Sequence, residues 1–84
     1  MKPVRLTNQS RLQSVERGAS EEEVILALRE GTREPAKLGR IMCKYNLSFG
    51  RTWQGNWYAA KQVAAVIIEE PNETVVVTVY TFYF

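Results

Sequence analysis

The final run of the chain, Thr74-Val75-Val76-Val77-Thr78-Val79-Tyr80-Thr81-Phe82-Tyr83-Phe84, constrains the fold more than any other stretch. β-branched and aromatic side chains fill it almost without interruption, a composition that suits a packed, pleated strand. An exposed edge this apolar would invite pairing with other chains, so the run is expected inside a sheet. Before it, Glu70-Pro71-Asn72-Glu73 reads as a turn: Pro presets the backbone angle at the second position and Asn tolerates the third. Trp57 to Glu69 then becomes the antiparallel partner of the last strand.

A third long strand is expected upstream. From Arg40 the apolar period is two, with Ile41, Cys43, Tyr45, Leu47 and Phe49 alternating with Arg40, Met42, Lys44, Asn46 and Ser48. Gly50 and Gln54-Gly55-Asn56 bracket the turn into the next strand. Val4 and Leu6 could add a short leading edge strand. Thr32-Arg33-Glu34-Pro35-Ala36-Lys37-Leu38-Gly39 reads as a connection, because Pro35 and Gly39 interrupt any regular pattern.

The helical signal lies near the start. Ser20 can cap a helix through its hydroxyl while Glu23 reaches back to the Ser20 amide, and Glu21, Glu22 and Glu23 sit where the helix dipole favours negative charge. Val24, Ile25 and Leu28 form the expected buried stripe, and Gly31 can close the helix in a left-handed conformation. The acidic triplet is explained by helix-start electrostatics; a metal site or an acidic partner surface is the competing reading. Thr7 to Arg17 reads as a shorter helix with Leu12 and Val15 on one side, broken from the next by Gly18.

These elements define one α+β domain over residues 1–84: two short N-terminal helices packed on an antiparallel sheet of three long strands, with the optional leading edge strand. A chain of this length buries only about 60% of the surface its unfolded form exposes, so one core is the limit. No apolar run reaches the roughly 18 residues of a spanning helix, and the opening lacks the apolar stretch of a signal peptide. A cytoplasmic protein without membrane contact is expected.

Composition restricts the chemistry further. With one cysteine, Cys43, and no histidine, an intrachain disulfide and the usual Cys-His zinc arrangements are excluded, and no metal or other cofactor is expected. Proton transfer would fall to carboxylates, Lys, Tyr or Arg. The net charge of +2 conceals blocks: from Pro35 to Ile68 come Lys37, Arg40, Lys44, Arg51 and Lys61 with no acid. Such a block is compatible with a polyanionic partner and also with ordinary solvated surface.

Candidate residues follow from a register. If Glu70 and Glu73 face each other across the turn, Lys61 lies opposite Phe82, Val63 opposite Tyr80 and Ala65 opposite Thr78, and Lys61, Thr78 and Tyr80 share a face. Arg40 and Lys44 would join them if the polar face of the first long strand lay on the same side. Arg40 and Lys44 are then phosphate-binding candidates, and Lys61 and Tyr80 catalytic candidates, with cationic side chains stabilising charge on phosphorus as a 2′-hydroxyl attacks. The competing reading has Lys61 extending from an apolar sheet and Tyr80 packed in the core. Trp53, Trp57 and Tyr58 could stack bases or pin the hairpin to the body.

The order of motifs also carries a resemblance. Gln9-Ser10-Arg11-Leu12-Gln13-Ser14-Val15-Glu16-Arg17-Gly18-Ala19-Ser20-Glu21-Glu22-Glu23-Val24, then Trp53-Gln54-Gly55-Asn56-Trp57-Tyr58, Lys61-Gln62-Val63 and Val77-Thr78-Val79-Tyr80, resembles a widespread bacterial family of small domains of unknown function. That family is similar in layout to RelE/ParE/BrnT-like toxins. The resemblance covers nearly the whole chain. It implies a toxin-like ribonuclease or RNA-binding module of a toxin-antitoxin type system, with RNA or the ribosome as target and a small antitoxin-like protein as partner. The alternative is a non-enzymatic interaction module that keeps the fold without catalysis. The family opens its first helix with a histidine where this chain has Gln9; if that histidine serves catalysis in the family, this chain is either inactive or works through the Lys, Arg and Tyr set.

Overall fold

The computed structural model describes residues 2–84. The C-terminal run forms strand β5 (Thr74–Tyr83), paired antiparallel with β4 (Asn56–Glu69) and, through its first residues, parallel with β1 (Val4–Leu6). β4 pairs in turn with β3 (Ile41–Trp53), and β3 with β2 (Thr32–Pro35), giving the order β1-β5-β4-β3-β2. Helix α1 (Asn8–Arg17) packs on β5, and helix α2 (Glu21–Glu30) on β3 and β4. Val24, Ala27 and Leu28 of α2 meet Cys43, Val63, Ala65 and Ile67 of the sheet to form the centre of the core. No described helix is long and apolar enough to cross a membrane.

The α+β class and the three long strands match the sequence reading, but the sheet has five strands and is mixed rather than purely antiparallel. The short leading strand is real. Thr32–Pro35, expected as a connection, is the outermost strand, with Thr32 opposite Lys44 and Pro35 opposite Ile41. All four of its residues are exposed, so it has no apolar alternation to betray it, and Pro is tolerated at such an edge.

The capping box of α2 forms as expected: the Glu23 amide donates to Ser20 Oγ (3.1 Å) and the Ser20 amide to Glu23 Oε1 (3.0 Å). Its buried stripe is Val24, Ala27 and Leu28, with Ile25 only half-buried. Gly31 ends the helix in extended backbone (φ −75°) instead of the left-handed region. Its lack of a side chain serves another purpose, since a Cβ there would collide with the carbonyl oxygens of Ala27 and Lys44.

Helix α1 reverses the usual amphipathic rule. Leu12 and Val15 face solvent, while Ser10 and Ser14 lie buried against the sheet. Their small side chains permit close approach, and their hydroxyls donate to backbone carbonyls one turn earlier, Ser10 to Thr7 (2.9 Å) and Ser14 to Ser10 (2.8 Å).

The feature that matters most for the site is a β-bulge. From the turn to Ile67 opposite Val76 the pairing follows the expected register, but Val66 then pairs with Thr78, leaving Val77 without a partner. One inserted residue exchanges the two faces of everything beyond it. Lys61 is therefore opposite Tyr83, Val63 opposite Thr81 and Ala65 opposite Val79. Thr81, Val79 and Tyr83 turn towards the helices; Thr78, Tyr80 and Phe82 turn to the helix-free face.

Candidate functional site

Lys61 lies on the helix side of the sheet, 2% exposed, inside a cage of acceptors. Its Nζ donates to Glu23 Oε1 (2.8 Å) and to the Gly18 carbonyl (2.9 Å), and stands over the Phe49 ring at 5.3 Å from its centroid. The neighbouring carbonyl of Arg17 accepts from Thr81 Oγ1 and Tyr83 Oη, each at 2.7 Å. The bend between the two helices is thus tied to the sheet by three side-chain donors, and Lys61 is the charged one. Burial opposes ionisation of Glu23, yet the hydrogen bonds from Lys61 and from the Ser20 amide outweigh it and hold its carboxyl below the ordinary range. Trp53 stacks on Tyr83 (centroids 5.3 Å apart), and Tyr58 lies 5.5 Å from the same ring. These two aromatics pin the β3–β4 hairpin to the body, as one of the two sequence readings anticipated; Trp57 remains exposed.

Tyr80 occupies the opposite face, so the expected convergence of Lys61, Thr78 and Tyr80 does not occur; the bulge at Val77 separates Lys61 from the other two. What converges instead is a groove of about 460 Å³ between the sheet and the loop after β2, lined by Lys37, Leu38, Arg40, Met42, Thr78 and Tyr80 among others. Arg40 thus joins Tyr80 as expected for the polar face of the first long strand, through Met42 and Thr78 rather than through Lys61. Among the described residues, neither Lys37 nor Arg40 is ion-paired. Lys44, next after Met42 on the same face, is bridged to Glu34 at 2.9 Å.

Arg17 completes the arrangement and was not singled out by the sequence. From the last turn of α1 it reaches around β5, donates to the Val79 carbonyl and places its guanidinium 5.2 Å from the centre of the Tyr80 ring. Gln13 Oε1 accepts from the Val79 amide (3.0 Å), so α1 blocks the strand edge that β1 leaves open. The Arg17-Gly18 pair, legible as a helix break, is also the clamp that positions Tyr80. Leu38 adds backbone strain at the rim: it is 85% exposed and left-handed (φ 62°), a conformation that costs a residue with a Cβ about 1–2 kcal/mol.

The acid-free block does not form one surface. Lys37 and Arg40 enter the groove, Lys44 is paired, Arg51 lies over Phe49 and Lys61 is internal. Cys43 is buried, and burial pushes its thiol up, which leaves it unreactive. Among the described residues, no group of three or more Cys, Asp or Glu side chains could hold a metal ion. Compared with family models, curated proteins and solved structures, the chain has no match.

Proposed function

We propose that this chain is a toxin-like RNA-binding module that receives a single strand on the helix-free face of its sheet. The observation that carries the reading is the meeting of two unpaired cations, Lys37 and Arg40, with the Arg17-braced ring of Tyr80 in one open groove. Cations without a protein counter-ion suit phosphate oxygens, and an aromatic ring beside them suits an unpaired base. The resemblance to RelE/ParE/BrnT-like toxins supports the same target class. Cleavage would use the same groove: Arg40 to stabilise charge on phosphorus and Tyr80 to position or pass the proton as a 2′-hydroxyl attacks. Lys61 has a different part, holding the helices on the sheet.

A second reading, the non-enzymatic interaction module, has one observation in its favour: Leu12 and Val15 present an apolar surface on α1, 64% and 79% exposed. An antitoxin-like partner would find a foothold there.

Binding of a fluorescent single-stranded RNA, followed by anisotropy across a salt series, tests the first reading. Affinity should fall steeply with salt, and the double reversal Lys37→Glu/Arg40→Glu should abolish binding with the melting curve unchanged. Affinity that survives the reversal would remove this groove as the site. Transcript cleavage on induction in a host, relieved by Tyr80→Phe, would separate cleavage from binding alone.

A further inference from the structure

Resting on the RNA-binding reading above, we infer that Tyr80 and Phe82 form a slot that admits one unpaired nucleobase between their rings. The two residues alternate along β5 on the helix-free face, and both are exposed, Tyr80 by 38% and Phe82 by 52%. Their rings are close to parallel, 23° apart, with centroids separated by 6.4 Å. Residues two apart on a strand are spaced by about 6.8 Å. Stacked bases rise by about 3.4 Å, so two flanking planes need about 6.8 Å to take a third between them. The centroid separation is the upper limit of the gap between the two ring planes, and rotation about the exposed side-chain torsions sets the rings apart to admit a base. A direct ring-on-ring stack would draw the pair closer, as the 5.3 Å between Trp53 and Tyr83 shows.

The slot has a stiff floor and a charged approach. Tyr80 is opposite Ala64 and Phe82 opposite Gln62 on the central strand β4, so ladder hydrogen bonds fix both backbones. Arg17 braces the Tyr80 ring from the edge of the sheet, and Lys37 and Arg40 line the groove on its other side. Such a layout complements a polyanion whose flat groups are spaced along it. Single-stranded RNA is that ligand; a duplex keeps its bases stacked on one another and offers none to the slot. Stacking on exposed rings carries little sequence preference, since every base has a π-face.

The test compares a short single-stranded RNA with an abasic ribose-phosphate strand of equal length at the same salt. Wild-type protein should bind the base-bearing strand at least about tenfold more tightly. Phe82→Ala should reduce affinity for it by about ten- to a hundredfold while leaving the abasic strand unaffected, and Phe82→Trp should restore it. Because Phe82 is half exposed, its replacement should leave the circular dichroism spectrum unchanged. Equal binding of the two strands by wild type, or Phe82→Ala within about twofold of wild type on RNA, would overturn the slot while leaving the phosphate-binding groove standing. Failure of both strands to bind would overturn the slot and the RNA-binding reading together.

Discussion

Replacing Lys61 by Met should unfold the domain more readily without touching its RNA affinity. Met preserves most of the volume and the apolar stem but removes both hydrogen bonds of Nζ, leaving the Gly18 carbonyl and the Glu23 carboxylate without that donor. Taking one partner from a buried ion pair costs about 3–5 kcal/mol. The Glu23 side chain is 26% exposed, so water recovers part of the loss and about 2–4 kcal/mol is expected. For a domain of 84 residues, whose total stability is about 4–13 kcal/mol, this is a large fraction. The corresponding fall in Tm is about 10–25 °C, measurable by circular dichroism or calorimetry. RNA affinity measured below the lowered Tm should stay within about twofold of wild type, because Lys61 is across the sheet from the groove. An unchanged Tm combined with lost RNA binding would show that Lys61 contacts RNA and does not hold the helices on the sheet.

Gly18→Ala should lower stability in urea by at least about 1–2 kcal/mol, because φ is +78° there and a Cβ would fall 2.5 Å from Tyr83 Oη; a neutral result would mean the helix bend is not clamped on Tyr83. Glu23 has its pKa depressed on folding, so its contribution is complete above its unfolded value of about 4.3 and is lost as pH falls through the lower folded value. An acid titration followed by circular dichroism should show Glu23→Gln less stable than wild type near neutrality, with the gap narrowing in acid; a constant gap would contradict the linkage. Deleting Thr81 to Phe84 removes both hydroxyls that hold the Arg17 carbonyl, and the chain should aggregate or lose cooperative melting. A monomeric truncation that melts near the full-length temperature would show those contacts to be dispensable.

Local chemistry was legible in the sequence, and relations between distant segments were not. Ser20 and Glu23 announce the capping box because cap and partner lie three residues apart and the interaction needs nothing else. The long strands announce themselves by period and composition. The bulge does not, because Val75, Val76 and Val77 are chemically identical and nothing marks the third as the unpaired one. Since that single residue decides which face Tyr80 takes, the expected catalytic pair was separated by a feature with no sequence signature. Lys61 was conspicuous in an apolar strand, but its partner Glu23 lies 38 residues away and was already explained as a cap. Leu12 and Val15 mark one side of α1 in the sequence, but nothing local shows that this side faces solvent and that close helix-to-sheet approach brings Ser10 and Ser14 inward. Arg40 and Tyr80 survive together because Arg40 depends only on strand alternation in β3, and the bulge turned Tyr80 onto that side.

The most direct test of an RNA surface on the helix-free face is a titration of isotope-labelled protein with a short single-stranded RNA, monitored by amide and side-chain chemical shifts. The largest changes should map to Lys37, Arg40, Thr78, Tyr80 and Phe82, with Lys61, Leu12 and Val15 unmoved. Changes centred on Leu12 and Val15, or none at RNA concentrations that saturate other single-strand binders, would contradict an RNA surface there.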